Sequence, residues 1–263
     1  MQLQVRASHS GQDARSLGPP GARARCVAAS LRRRKGPCLD KVPRSRPVKW
    51  SGKLPARVWH GASLSIDDPM IAVSGNVEFD RALGRQLVRL SRSFGVRPGF
   101  AYADGFRDRN AIASSYTRFP GTQSTVLMGI RLMRSILARG DGGDIAVMGV
   151  CAHEFGHVIQ YFNGTHGRLS AQHATSKLVE LHADFLAGYF VGETRRARPA
   201  IITRTFDDVF HGMGSYASCD PDFHGPPDER LEAVKAGQRT AERGLSFNVS
   251  NQEGARYVLA RFR

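Results

Sequence analysis

Five residues near the middle of this 263-residue chain read His153-Glu154-Phe155-Gly156-His157. They lie inside an apolar run, residues 145–162, whose length and composition predict a buried helix. On a helix, residues four apart share a face, so the two imidazoles can reach the same metal ion. Three ionisable side chains in an apolar helix are costly to bury without a partner. This setting therefore predicts a metal site, and argues against a chance occurrence of the pattern.

Glu154 lies directly beside the first of these histidines. A zinc ion lowers the pKa of its bound water towards ~7. The Glu154 carboxylate can take the proton of that water and later deliver it to a leaving amine. We therefore expect His153 and His157 to bind zinc, and Glu154 to act as the catalytic base of a hydrolysis reaction.

A catalytic zinc site has three protein ligands and one open position. The pattern HExxHxxGxxH does not supply the third ligand, because Gln160 and Asn163 occupy its glycine and final histidine positions. A glutamate on a following helix is the alternative, and Glu180-Leu181-His182-Ala183-Asp184 offers one after 22 intervening residues. Glu180 is therefore the predicted third ligand, and Asp184 the predicted acceptor that orients a ligand histidine. His182 is left out, since it points roughly 160° away from the ligand direction.

Hydrophobic spacing along the chain predicts an α+β domain with its strands early and its helices late. The predicted strands cover residues 100–103 and 111–113, around a polar turn, and residues 125–129. The predicted helices cover residues 79–94, 130–137, 145–162, 176–191, 201–212 and 226–236. Asp144 is the predicted N-cap of the third helix, and Gly237 is the predicted stop of the last one. We expect a small antiparallel or mixed sheet packed on the helix that carries His153.

The formal net charge of +15 is concentrated at one end of the chain. Residues 1–60 contain 14 Lys and Arg against two acidic residues, whereas residues 61–263 contain 24 against 21. The first segment also has few large apolar residues, so we expect residues 1–60 to be basic and disordered, and 61–263 to form one domain. No nucleic-acid partner is expected for that folded domain.

Localisation signals are sparse. The four cysteines lie far apart and form no CxxC pattern, which favours a reducing compartment. No uninterrupted run of 18 apolar residues and no signal-peptide core is seen, so we expect a cytoplasmic protein without a transmembrane segment. The sequence does not indicate an oligomeric state.

The segment HEFGH, followed by ELHAD and Ala187-Gly188, resembles the gluzincin peptidases, specifically the HtpX-like and neutral zinc metallopeptidase families. The resemblance covers about residues 75–240. Asn110-Ala111-Ile112-Ala113 is similar to the strand that these families place beside the active-site helix. Residues 224–230 resemble their histidine-containing segment ahead of a short helix that carries an arginine. The resemblance implies a zincin-like fold, with an HExxH helix and a following Glu-ligand helix, and zinc-dependent hydrolysis of peptide bonds.

Within this interpretation, an extended peptide or protein substrate is expected to pair with the strand at Asn110 and Ala111. His224, just before a helix, is the candidate for stabilising the developing oxyanion. Two other hypotheses stay open. One is a catalytically inactive zinc-binding pseudo-peptidase that acts as an interaction protein, although the intact Glu154 argues against it. The other is a nucleic-acid-binding protein that works through residues 1–60.

Overall fold

The computed structural model describes residues 67–103, 110–216, 220 and 222–263. This part of the chain contains four strands and eight helices, so the fold is α+β as expected. The predictions for residues 1–60 and for the turn at 104–109 lie outside it. The strands are β1 (Met70–Ile71), β2 (Gly99–Ala103), β3 (Ala111–Ser114) and β4 (Thr125–Gly129); the helices are α1 (Val77–Phe94), α2 (Ile130–Leu137), α3 (Gly143–Phe162), α4 (Thr165–Ser170), α5 (Lys177–Ala197), α6 (Arg204–Gly212), α7 (Pro227–Glu242) and α8 (Phe247–Phe262).

The sheet is mixed, with strand order β1-β2-β4-β3. β2 pairs with β4 in parallel, and β3 pairs with β4 antiparallel. β2 and β3 are therefore not neighbours, although they follow each other in the chain. Within the described residues, β3 forms one edge of the sheet, and it packs on α3.

Helix α3 lies at the centre of the molecule. Every residue from 146 to 160 is buried, as expected for a helix that is apolar on all sides. On one face of the sheet, Val126 and Met128 of β4 join the same hydrophobic cluster as α3, whereas Leu127 packs on the opposite face. Among the residues that the structure describes, no helix is both long and apolar enough to cross a membrane.

Several predicted helix boundaries are wrong: α5 continues to Ala197, beyond the predicted end at residue 191, and α6 begins at Arg204 and not at residue 201. Asp144 is not the N-cap of α3, because the helix begins one residue earlier, after Gly142 in a left-handed conformation (φ 82°). Asp144 instead lies in the first turn, where a carboxylate interacts favourably with the helix dipole. Gly237 does not end α7, which continues to Glu242. Two further helices, α4 and α8, had not been predicted from the sequence.

Glycines bring the helices that carry the candidate site close together. Gly237 of α7 lies against the Phe185 carbonyl of α5, and Gly188 of α5 lies against the Val234 carbonyl of α7; a Cβ at either position would overlap those oxygen atoms. Gly156 of α3 similarly faces Ala183 of α5, whose Cα would lie 3.2 Å from a Cβ there. The backbones of α3, α5 and α7 can therefore approach closely.

Candidate metal centre

Three buried side chains from α3 and α5 converge on one point. Nε2 of His153 lies 3.0 Å from Nε2 of His157. The Glu180 carboxylate faces both rings, with Oε2 at 3.2 Å from His153 Nε2 and Oε1 at 3.3 Å from His157 Nε2. The structure thus brings the three predicted ligands together, and this buried His-His-Glu group can hold a metal ion.

The ring of His153 is held by an ionic pair. Its Nδ1 lies 2.8 Å from Asp184 Oδ1, and since a carboxylate accepts, the ring donates from Nδ1 and presents Nε2 to the centre. Arg230 of α7 donates from Nε and Nη2 to the two oxygens of Asp184, at 2.8 Å each. Asp184 therefore contacts His153, as predicted, and is itself fixed by an arginine on another helix.

The ring of His157 is held by a neutral partner. Its Nδ1 lies 2.9 Å from Oε1 of Gln160, one turn further along α3. Gln160 Nε2 donates to the main-chain carbonyl of Val179 at 2.7 Å, which orients the amide so that its oxygen faces His157. Because an amide oxygen accepts, His157 also donates from Nδ1 and presents Nε2 to the centre.

Charges within the cluster shift its acid–base equilibria. Burial alone would lower the pKa of His153, but hydrogen bonds to Asp184 and Glu180 outweigh burial and raise the pKa to about 10. Burial alone would raise the pKa of Glu180, but interactions with His224, His157 and His153 hold it well below its ordinary value. Both shifts follow from the attraction between the charged forms of His153 and Glu180.

Glu154 is buried next to the ligands but is not one of them. Its carboxylate interacts electrostatically with His153, His157 and Arg230. Burial raises the pKa of Glu154, against the opposing effect of His153 and His157. This geometry and acidity are suited to a group that accepts a proton.

His224 lies on the solvent side of the cluster. Its side chain is 44% exposed, and its Nδ1 lies 3.4 Å from Glu180 Oε2. The three candidate ligands, in contrast, are buried. The half-exposed imidazole therefore lies where a molecule approaching Glu180 from solvent would meet it.

The register of β3 determines which of its groups are free for pairing. Asn110 accepts a hydrogen bond from the opposite residue, Gly129, at 2.8 Å. Hydrogen-bonded and non-bonded pairs alternate along an antiparallel ladder, so Ile112 also bonds to β4. The main-chain groups of Ala111 and Ala113 then point to the free edge. Of the two predicted substrate-binding residues, Ala111 therefore has main-chain groups directed to the edge, whereas the Asn110 carbonyl is already paired with Gly129.

Sequence reasoning missed several residues around the centre. Gln160 could have been found, because a residue three positions after His157 lies next to it on the same helix face. Arg230 had entered only through the resemblance, and no spacing rule links it to Asp184, 46 positions earlier. His182, which had been left out of the predicted ligand set, is fully buried and bonded to Gln160.

Comparisons of this chain with protein-family models, with curated proteins and with solved structures find no match. The interpretation of the centre therefore depends on its own geometry.

Proposed function

We propose that this chain is a zinc-dependent peptidase of the gluzincin type, with a zincin-like fold. His153, His157 and Glu180 hold the zinc, and Glu154 is the catalytic base. One observation carries the proposal: two imidazole Nε2 atoms and a carboxylate converge in a buried position while both Nδ1 atoms bond elsewhere. Three electron-pair donors in this arrangement repel one another unless a cation or a proton lies between them.

The donor set favours zinc over Mg²⁺ and Ca²⁺. Mg²⁺ and Ca²⁺ prefer oxygen ligands, whereas two imidazoles and one carboxylate are a usual ligand set of catalytic zinc. With bonds of about 2.0–2.2 Å, ligand atoms around a tetrahedral ion lie roughly 3.3–3.6 Å apart. The observed separations of 3.0, 3.2 and 3.3 Å are close to this range.

Bound zinc supplies Lewis-acid chemistry, which acidifies water and polarises a carbonyl group. Glu154 accepts the proton of the attacking water, since its carboxylate is buried beside the candidate ligands and burial raises its pKa. As hydroxide adds to the peptide carbonyl carbon, negative charge develops on the carbonyl oxygen, and the proposed donor to this oxygen is His224. The C–N bond then breaks, and Glu154 returns the proton to the leaving amine.

The free edge of β3 suggests how an extended substrate is held. A peptide that pairs with the outward groups of Ala111 and Ala113 adds a strand to the sheet. Because β3 packs on α3, such a strand would run alongside the helix that carries Glu154. The proposed substrate is therefore an unfolded segment of protein or a peptide, whose main chain is free to pair.

Glu154→Gln tests the assignment of the base. The glutamine keeps the size of the side chain but cannot accept a proton, so turnover of a labelled unfolded protein should fall by roughly two orders of magnitude or more. Its zinc content should match that of the wild type. The matched control is Glu78→Gln, the same change at an exposed position in α1, which should leave turnover unaltered.

Full activity in the zinc-loaded Glu154→Gln variant would contradict the mechanism. A zinc-loaded wild type that hydrolysed none of a panel of unfolded proteins and peptides would instead support the inactive zinc-binding interaction protein.

A further inference from the structure

His182 is buried on α5 and makes a hydrogen bond with each of its ring nitrogens. Its Nδ1 lies 3.0 Å from Nε2 of Gln160, and its Nε2 lies 3.1 Å from the main-chain carbonyl of Asn251 in α8. The side chain is completely inaccessible to solvent. It therefore connects α8 with the glutamine that contacts His157.

The donors and acceptors along this connection have only one consistent arrangement. The Asn251 carbonyl can only accept, so His182 donates from Nε2 and its Nδ1 is an acceptor. Gln160 uses one N–H for the Val179 carbonyl and the other for His182 Nδ1. Its oxygen is then left to accept from His157 Nδ1, so that in the neutral imidazole the lone pair lies on Nε2, which faces Glu180.

We propose that Gln160 and His182 are positioning residues of the metal centre, through which α8 fixes the tautomer and ring orientation of His157. This inference rests on the metal-binding role of His157 proposed above. The two ligand histidines are then held differently: His153 by the ionic pair of Asp184 with Arg230 from α7, and His157 by a neutral chain that ends on α8. Hydrogen-bond partners of ligand histidines commonly change metal affinity by roughly 10–100-fold when they are removed.

Metal binding by four variants tests this proposal without relying on catalysis. Gln160→Met removes the acceptor for His157 at nearly constant volume, and His182→Phe removes both bonds of the connecting ring. His182→Gln keeps one acceptor and one donor. Thr194→Val is the control, because it removes another buried hydrogen bond of α5, from Thr194 Oγ1 to the Phe190 carbonyl, that has no connection to the centre. The measurements are zinc affinity by chelator competition and the visible absorption spectrum of the Co²⁺-substituted protein.

Gln160→Met and His182→Phe should each weaken zinc binding roughly 10–100-fold and change the Co²⁺ spectrum, which reports ligand geometry. His182→Gln should restore most of the affinity, and Thr194→Val should lower thermal stability alone. If the first two variants lost stability but kept wild-type affinity and spectrum, the connection would be only structural and the proposal would be overturned. A wild-type protein that bound neither zinc nor Co²⁺ would instead overturn the metal centre itself.

Discussion

At the scale of single residues, the centre depends on a charged pair that is fully removed from water. Asp184 is inaccessible and Arg230 is 1% exposed, and they are joined by two hydrogen bonds of 2.8 Å. Such a pair adds little net stability when both members are present, but losing one member leaves a buried charge without compensation. The same carboxylate contacts His153, so Asp184 couples stability to the proposed metal binding.

Asp184→Asn should therefore cost about 3–5 kcal/mol in the free energy of unfolding. It should also weaken zinc affinity roughly 10–100-fold, because the partner of His153 Nδ1 loses its charge. Urea denaturation and chelator competition measure the two effects. Asp208→Asn is the matched control, because Asp208 is 62% exposed and its ion pair with Arg204 is long, at 4.0 Å. This variant should change the free energy of unfolding by less than ~0.5 kcal/mol. Equal stability of the two variants would contradict this role for Asp184.

The predicted ligands could be identified from the sequence, because residues four apart on a helix lie on the same face and this rule needs only local sequence. His153 and His157 are four residues apart on α3, and Glu180 and Asp184 have the same spacing on α5. The contact of Arg230 with Asp184 could not be predicted in this way, since it depends on how α5 and α7 cross. The bond of His182 to α8 could not be predicted either, since α8 itself had not been predicted.

At the scale of elements, the crossing of α5 and α7 sets the position of Arg230. Gly188 and Gly237 each face a carbonyl of the opposite helix. From the sequence, Gly237 had been interpreted as a helix stop, since glycine commonly follows a helix end. In the structure its missing side chain serves packing between helices instead, and local sequence rules do not distinguish these two uses.

Gly237→Ala should lower the free energy of unfolding by about 1–3 kcal/mol, because the added methyl group forces the two backbones apart. Gly84→Ala provides the control within α1, where a Cβ would meet no atom within 4 Å. There the substitution should raise stability by up to ~1 kcal/mol, as expected for alanine in a helix interior. Thermal or urea unfolding of both variants measures the difference. A Gly237→Ala protein as stable as wild type would show that the close crossing is not required.

Two proline variants test the edge of β3. Proline removes one main-chain N–H, and it is tolerated in a strand only where that group makes no ladder bond. Ala113→Pro should keep the fold and the zinc content but raise the KM for an extended peptide about 10-fold, the equivalent of ~1.4 kcal/mol. Ile112→Pro removes a ladder bond to β4 and should destabilise the protein. An unchanged KM in Ala113→Pro would exclude substrate pairing at this edge.

At the scale of the whole molecule, the metal-free and metal-bound proteins should respond to pH in opposite directions. The pKa of His153 is raised from 6.5 to about 10 in the folded, metal-free protein. A raised pKa contributes stability that is complete below the ordinary value and is lost as the pH rises through the folded value. Zinc binding requires His153 to lose this proton, so zinc affinity should increase over the same interval.

Thermal unfolding at about pH 6.5 and about pH 9.5 measures this linkage. With a chelator present, the melting temperature should fall between the two pH values, and His153→Gln should reduce the fall. With zinc present, the stabilisation by the metal should grow with pH. A metal-free protein that became more stable at the higher pH, with no change in His153→Gln, would contradict the raised pKa of His153.

The positive charge of the chain is unevenly distributed along its sequence. The +15 of the whole sequence arises mainly before residue 61, and the remainder is close to neutral. The described residues belong to the nearly neutral part of the sequence, so general positive charge is not what distinguishes them. What distinguishes the described part of this molecule is instead the buried group formed by His153, His157 and Glu180.

The metal content of the purified protein tests that group most directly. Elemental analysis after gel filtration should find about one zinc ion per chain in the wild type. Glu180→Ala should remove most of it while circular dichroism shows that the helices are retained, because two histidines alone hold the ion weakly. A wild-type protein without stoichiometric metal, or a Glu180→Ala variant that kept its full zinc content, would contradict the assignment.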